Sequence, residues 1–302
     1  MPVQVAHAQA EGAFVKANGI ELCYDSFGDP AAPPLLLIMG LAAQMIAWDE
    51  QFCTRLAARG YRVIRFDNRD IGRSTRLDGA GVPDVGAALM AALAGRPVQA
   101  PYLLRDMAND AVGLLDALGI ERAHLVGASM GGAIAQLMSI HHPARVRTLT
   151  SIMSSTGEPG LPAPTPQAMT VLLKPTPSDR SAYLESFRQT WKVLRVGSFP
   201  DDEARDLERA ERNFARGLNP AGVARQLAAI LASGGRKSAL ADLSVPALVI
   251  HGDLDPLVPL AAGVATARSI PGAKLQVVKG MGHALPISMW PALIDAIADH
   301  AR

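Results

Sequence analysis

Short apolar runs alternating with segments of helical spacing constrain the fold of this 302-residue chain more than any other feature. The runs are "PPLLLIMG", "YRVIRFDNRD", "RAHLVGAS", "ARVRTLTSIMSS", "VPALVIHGD" and "AKLQVVKGMGH". Strands that are apolar on both faces are typical of parallel sheets covered by helices. Residues 13–27 add a hairpin with Asn18-Gly19 at its turn. The sequence therefore predicts an α/β fold with a mostly parallel central sheet flanked by helices.

A helical block interrupts this alternation after "ARVRTLTSIMSS". Residues 157–177 are rich in proline, which is typical of an irregular connection. Three segments with helical spacing follow, and the strand pattern returns at "VPALVIHGD". The sequence thus predicts a core domain of residues 1–156 and 241–302, with a helical cap of residues 157–240 inserted in it.

The composition excludes several classes of function. There are 29 Lys and Arg residues against 28 Asp and Glu, and this balance gives no basic excess for nucleic acid or an anionic membrane. No apolar stretch is long enough for a membrane span, and residues 1–14 lack the regions of a signal peptide. Two cysteines, Cys23 and Cys53, are too few for a disulfide framework and fit a reducing compartment. We expect a cytoplasmic protein; the sequence does not indicate an oligomeric state.

Three strand ends carry residues that together suggest nucleophilic catalysis. Ser129 stands between glycines in "GASMG", at the junction of a predicted strand and a predicted helix. Asp253 and Asp255 follow "ALVIHG", and His283 follows "LQVVKGMG". Parallel strands place ligands at their carboxyl ends, and the order Ser, Asp, His along the chain is that of nucleophile-elbow enzymes. A serine needs a base such as histidine, and a carboxylate orients that base. On position alone either aspartate could be the acid.

This chemistry also requires donors for a developing oxyanion. In a nucleophile elbow, one donor is the backbone N–H of the residue after the serine, here Met130. The other comes from the turn after the third predicted strand, "MGLA". We assign it to the backbone N–H of Leu41.

The sequence resembles the α/β-hydrolase family and, within it, the methylesterases of anthracycline biosynthesis of the aclacinomycin methylesterase type. The resemblance lies in "FGDP", "LLLIMG", "RVIRFDNRDIGRSTR", "HLVGASMG" and "GMGHALP", and in the cap segment "FPDDEARDLERAERNFARG". It implies that Ser129 is the nucleophile and His283 the base. The family's acid precedes a proline, which selects Asp255, before Pro256. Many members have His-Gly at the oxyanion turn, where this chain has Met39-Gly40, a form that the anthracycline-type esterases share.

The expected function is hydrolysis of a small to medium apolar carboxylic ester by a carboxylesterase-type serine hydrolase. Perhydrolases or haloperoxidases, lactonases and C–C bond hydrolases use similar sites, and a non-catalytic ligand-binding protein would also keep them. We predict no cofactor and no metal, because the chain has no dinucleotide-binding or metal-ligand spacing. The expected partner is a small-molecule ester.

Two further predictions concern the surroundings of the serine. Methionine and aromatic residues that could line an apolar substrate pocket are Met45, Met153, Met169, Trp191 and Phe199. The charged segment "FDNRDIGRST" is interpreted as a structural loop whose side chains bond turn amides, rather than as a second charged site.

Overall fold

The computed structural model describes residues 12–197, 199 and 202–302. The first eleven residues, part of the segment predicted to contain no signal peptide, lie outside these ranges. Eight strands and eleven α-helices are formed in the described part of the chain. The strands are β1 (Ala13–Ala17), β2 (Ile20–Phe27), β3 (Pro34–Ile38), β4 (Arg62–Phe66), β5 (Ala123–Ala128), β6 (Val146–Ile152), β7 (Ala247–Gly252) and β8 (Lys274–Val278). The helices are α1 (Glu50–Ala57), α2 (Val85–Leu93), α3 (Leu104–Ala117), α4 (Met130–His141), α5 (Pro166–Leu173), α6 (Arg180–Arg195), α7 (Glu203–Arg216), α8 (Pro220–Ala232), α9 (Lys237–Leu240), α10 (Leu260–Ser269) and α11 (Trp290–His300).

The strands form one sheet in the order β1-β2-β4-β3-β5-β6-β7-β8. The hairpin β1-β2 and the pair β2-β4 are antiparallel, and the strands from β4 to β8 are parallel. All six residues of β5 and of β7 are buried, as expected for strands covered on both faces. The predicted fold class is confirmed, including the hairpin turn at Asn18-Gly19.

Helices cover both faces of the sheet. Apolar side chains of α3 and α4 pack with β3 and β5 in one buried cluster. Those of α1 and α11 pack with the other sides of β3 and β5 in a second cluster. The sheet therefore holds its strand ends rigidly between two cores, which fixes the loops that follow those ends. No helix in the described ranges combines the length and the apolar composition needed to cross a bilayer.

The structure departs from the local sequence pattern at two helices. The helical spacing of residues 42–58 predicts one helix, but α1 begins only at Glu50, where the Asp49 side chain accepts a hydrogen bond from the Gln51 amide. A single 3-10 turn, Met45–Ala47, precedes it. Within the proline-rich connection, residues Pro166–Leu173 form α5, which the sequence did not predict. A proline in the first turn removes no helical hydrogen bond, so proline density there does not exclude a helix.

The helices between β6 and β7 are joined to the core by buried charge pairs. Asp70 accepts two hydrogen bonds from Arg225 of α8, at 2.6 and 2.9 Å, and both side chains are fully buried. Asp67 is also paired with a buried arginine, because it accepts one hydrogen bond from a terminal nitrogen of Arg216 of α7. Burial opposes ionisation of Asp70, but the bonds from Arg225, the Leu77 amide and Tyr102 outweigh it and lower its pKa. The segment "FDNRDIGRST" thus has the structural role that was predicted, and it also connects the core to the predicted cap.

Candidate active site

Ser129 occupies a strained turn between β5 and α4. Its φ of 56° and ψ of −123° are rare for a residue with a side chain, and such backbone strain costs about 1–3 kcal/mol. The turn needs glycine at Gly131, since a Cβ atom there would overlap the carbonyl oxygen of Ile38 on β3. The Ser129 amide donates to the carbonyl of Ile152 at 2.9 Å. The serine is therefore held at the carboxyl edge of the sheet between β3 and β6.

A chain of hydrogen bonds connects Ser129 with a buried carboxylate. His283 Nε2 lies 3.0 Å from Ser129 Oγ, and His283 Nδ1 lies 2.7 Å from Asp255 Oδ2. The Asp255 side chain is fully buried, and its Oδ1 accepts from the amides of Leu257 and Val258 at 2.9 and 2.8 Å. These bonds fix the orientation of the carboxylate. With Nδ1 donating to Asp255, His283 presents Nε2 as the acceptor for the serine proton.

The two aspartates after β7 have different partners. Asp255 faces His283, whereas Asp253 Oδ1 accepts from the amide of Gly280 at 2.6 Å. Asp253 therefore ties the loop that follows β8 to the end of β7. His251 supports the same region, because its Nε2 donates to the Val258 carbonyl at 2.7 Å. Burial lowers the pKa of His251, and the Val258 carbonyl and Asp255 only partly oppose this effect.

The predicted oxyanion donors belong to two segments that adjoin the serine. Met130 is the first residue of α4, where amides have no helical acceptor. Leu41 follows Gly40, and a Cβ atom on Gly40 would lie 3.0 Å from Ser129 Cβ. In the described part of the chain, the amides of Leu41 and Met130 donate no hydrogen bond. Both are available to a negatively charged oxygen.

A cavity of about 2130 Å³ opens over Ser129 and His283. Three of the five predicted pocket residues line it, namely Met45, Met153 and Trp191. The structure does not bring Met169 and Phe199 to the described cavity wall. Met169 is half-buried on α5, and Phe199 packs against the core cluster that includes α11. Their apolar character reflects packing, which spacing in the sequence does not distinguish from ligand contact.

Two residues of this region were not singled out from the sequence. The Leu194 carbonyl, at the end of α6, accepts a hydrogen bond from the His283 amide. Arg236, just before α9, lines the cavity as a buried cation. Both contacts join segments that are distant along the chain, so no local pattern indicates them. Among the described residues, no group of three or more His, Cys, Asp or Glu is arranged to hold a metal ion.

Comparison with known proteins identifies the family. Residues 33–288 match the family model described as alpha/beta hydrolase fold. The chain belongs to the α/β-hydrolase family. This α/β-hydrolase is 33% identical to rhodomycin D methylesterase DauP of Streptomyces sp. (strain C5), over 95% of this chain and 97% of that protein. It is 32% identical to rhodomycin D methylesterase DnrP of Streptomyces peucetius, over 94% of this chain and 95% of that protein.

The fold of this α/β-hydrolase is also similar to solved structures. A meta-cleavage product hydrolase from Pseudomonas fluorescens IP01 superposes with a TM-score of 0.72, at 21% identity, over 96% of this chain and 97% of that one. This likeness shows the shared fold. Together with the family match and the two methylesterase relatives, it confirms the resemblance that the sequence motifs indicated.

Proposed function

We propose that this α/β-hydrolase cleaves carboxylic esters through an acyl-enzyme formed on Ser129. The observation that carries the proposal is the continuous chain from Ser129 Oγ through His283 to Asp255, at 3.0 and 2.7 Å. The similarity to two methylesterases supports ester hydrolysis, and a methyl ester in particular. The enzyme is a serine hydrolase of the carboxylesterase type.

The mechanism follows from the positions of these groups. His283 Nε2 accepts the Ser129 proton as Oγ attacks the ester carbonyl. The amides of Leu41 and Met130 stabilise the resulting oxyanion, and each such donor is worth about 3 kcal/mol. His283 then protonates the departing alcohol. Water, activated by the same histidine, hydrolyses the acyl-enzyme and restores Ser129.

The volume of the cavity favours an ester whose acyl or alcohol group is larger than that of an acetate ester. Its volume of about 2130 Å³ exceeds the roughly 300–1,000 Å³ of ordinary ligand pockets. The predicted cap, residues 157–240, supplies part of the wall through Trp191. We also propose a cytoplasmic location, because two cysteines, Cys23 and Cys53, are too few for a disulfide framework, which fits a reducing compartment.

The proposal is tested by labelling the nucleophile. The protein is mixed with a chromogenic short-chain ester, with and without a serine-directed phosphonate, and the labelled residue is found by mass spectrometry. We expect label on Ser129 and loss of turnover. Ser129→Ala is expected to lower kcat by up to about a million-fold.

The matched control is Ser154→Ala, since Ser154 lines the same cavity. This variant is expected to keep the label and the turnover. Label on another residue, or a loss of less than ten-fold in Ser129→Ala, would assign the reaction to a different nucleophile. Absence of both label and turnover would favour a ligand-binding protein.

A further inference from the structure

Arg236 is a buried cation whose hydrogen-bond acceptors are all neutral. Only 6% of the residue is exposed. Its Nε donates to the side-chain oxygen of Gln136 at 3.1 Å, and its two terminal nitrogens donate to the carbonyls of Gly234 and Ser155 at 3.3 and 2.8 Å. A guanidinium has five N–H donors, so these three bonds leave two donors without an acceptor in the described part of the chain.

The other arginines on the cavity wall differ from Arg236 in this respect. Each described one has a carboxylate partner within 4 Å, and they are Arg65, Arg195, Arg205, Arg209, Arg212 and Arg216. Glu158 is the carboxylate that acts electrostatically on Arg236, but it forms no ion pair with the guanidinium and accepts instead from the Lys237 amide at 2.9 Å. Among the described arginines that line the cavity, Arg236 alone has no carboxylate within 4 Å.

The charge of Arg236 is correspondingly under-stabilised. Burial lowers its pKa to about 10, and the more distant Glu158 only partly opposes this effect. At neutral pH the side chain is still a cation. A buried cation that contacts no carboxylate is costly, and a carboxylate on a bound molecule would reduce that cost by accepting charge-assisted hydrogen bonds.

Arg236 lies within reach of a molecule bound at Ser129. Its partner Gln136 is on α4, seven residues beyond Ser129, which corresponds to about 10 Å along the helix. Its second partner, Ser155, follows Ile152 by three residues, and the Ile152 carbonyl accepts from the Ser129 amide. Arg236, Ser129 and His283 line one cavity.

We propose that Arg236 is a substrate-binding residue that selects esters with a carboxylate remote from the reacting carbonyl, at a separation comparable to the about 10 Å of α4 between Ser129 and Gln136. This inference rests on the proposed ester hydrolysis at Ser129. The preferred substrates are then half-esters of dicarboxylic acids or esters of similar shape. The apolar part of the molecule spans the distance between Ser129 and the guanidinium.

The test compares charged and neutral substrates of one length. The probes are mono-4-nitrophenyl esters of linear dicarboxylic acids with six to ten carbons, each paired with the neutral ester whose far end is a carboxamide. At the best length we expect wild-type kcat/KM to favour the carboxylate at least about ten-fold, as a charge-assisted bond provides. Arg236→Gln should reduce this preference to less than two-fold. Arg236→Lys should keep part of this preference, since lysine carries the same charge but lacks the planar guanidinium that can donate to both carboxylate oxygens.

Arg212→Gln is the matched control, because it removes a cavity-lining arginine that is already neutralised by Glu50. Its preference is expected to equal that of the wild type. Loss of the preference in Arg212→Gln but not in Arg236→Gln, or no preference in the wild type, overturns the proposal. A purely structural Arg236 would lower thermal stability and leave the ratio unchanged.

The carboxylate preference can also be measured without the Arg236 variants. If the Arg236 variants do not fold, competition on the wild type replaces them: the monoamides of the same dicarboxylic acids should inhibit turnover of the neutral ester at least about ten-fold more strongly than the diamides. Equal inhibition overturns the proposal. Hydrolysis of the neutral esters reports the Ser129 mechanism separately, so failure of the carboxylate site and failure of ester hydrolysis give different results.

Discussion

The amide of His283 donates a 2.7 Å hydrogen bond to the carbonyl oxygen of Leu194, in the last turn of α6. A helix of the predicted cap thus holds the backbone of the proposed catalytic base. The residue before His283 also packs tightly against the end of α6. A Cβ atom on Gly282 would lie between 2.5 and 2.7 Å from the carbonyl oxygens of Leu194, Arg195 and Val196. The position of α6 and that of His283 are therefore coupled.

Gly282→Ala tests this coupling. The added methyl group must push the end of α6 away from the loop that carries His283, because real Cβ atoms do not approach an oxygen so closely. We expect kcat to fall about ten-fold or more while the protein stays folded, since a misplacement of about 1 Å in a catalytic group has such effects. Steady-state kinetics and a thermal melt are the measurements.

The control is Gly79→Ala, where an added Cβ meets no atom within 4 Å. It is expected to leave both kcat and the melting temperature near those of the wild type. An unchanged kcat in Gly282→Ala would show that the base does not depend on the end of α6.

Asp255→Asn and Asp253→Asn separate the two aspartates that the sequence left open. Asp255 contacts His283 Nδ1, and an amide in its place favours the wrong tautomer of the histidine. We expect kcat to fall by about 10⁴-fold in Asp255→Asn, as in other triads, and less than ten-fold in Asp253→Asn, which contacts only the Gly280 amide. A larger loss in Asp253→Asn would reverse the assignment.

The sheet and the strand-end residues were predictable because their signals are local. Glycine on both sides of Ser129 and a buried strand before it specify the turn within a few residues. The ends of parallel strands must meet at one edge, which brings His283 and Asp255 towards Ser129. The choice between Asp253 and Asp255 was different, since it depended on family resemblance rather than on position.

The contacts between the core and the predicted cap could not be predicted from the sequence. Arg225 donates a hydrogen bond to Asp70, which lies 155 residues away in the chain, and Arg236 donates one to Gln136, 100 residues away. Nothing near either arginine in the chain indicates its partner. The same reason explains why Met169 was assigned to the pocket: a methionine suits the lining of an apolar pocket, but the packing of α5 decides what its side chain contacts.

Glu50 provides a pH-dependent test of the contact between α1 and α7. It accepts hydrogen bonds from Arg212 of α7 and from Arg65, at 2.6 and 2.9 Å. Burial opposes its ionisation, but these arginines outweigh burial and lower its pKa to about 2, from 4.5. A lowered carboxylate pKa stabilises the fold above the unfolded pKa, and this contribution is lost as the pH falls through the folded pKa.

We therefore expect Glu50→Gln to be less stable than the wild type at pH 7, by about 1 kcal/mol or less because the side chain is partly exposed. The difference should shrink between about pH 4.5 and pH 2. Urea unfolding of both proteins at several pH values measures it. Glu208→Gln, on α7, is the control, since Glu208 acts on Arg212 only from a longer range and forms no ion pair within 4 Å among the described residues. A difference that is constant down to pH 2 would contradict the assignment of the shift to these arginines.

Trp191 on α6 is the predicted pocket residue whose role is easiest to separate from packing. It lines the cavity, and the guanidinium of Arg209 lies 4.3 Å from its ring centre. An acyl group long enough to contact the indole loses that apolar contact in Trp191→Ala, whereas an acetyl group does not extend far enough to do so. We expect kcat/KM to fall about ten-fold for a 4-nitrophenyl ester with a bulky apolar acyl group, corresponding to about 1.4 kcal/mol, and to change little for 4-nitrophenyl acetate.

Met169→Ala is the control. It removes an apolar side chain that lies off the described cavity wall, so the ratio of kcat/KM for the two substrates should stay at its wild-type value. Equal ratios in both variants would place the bound acyl group away from α6.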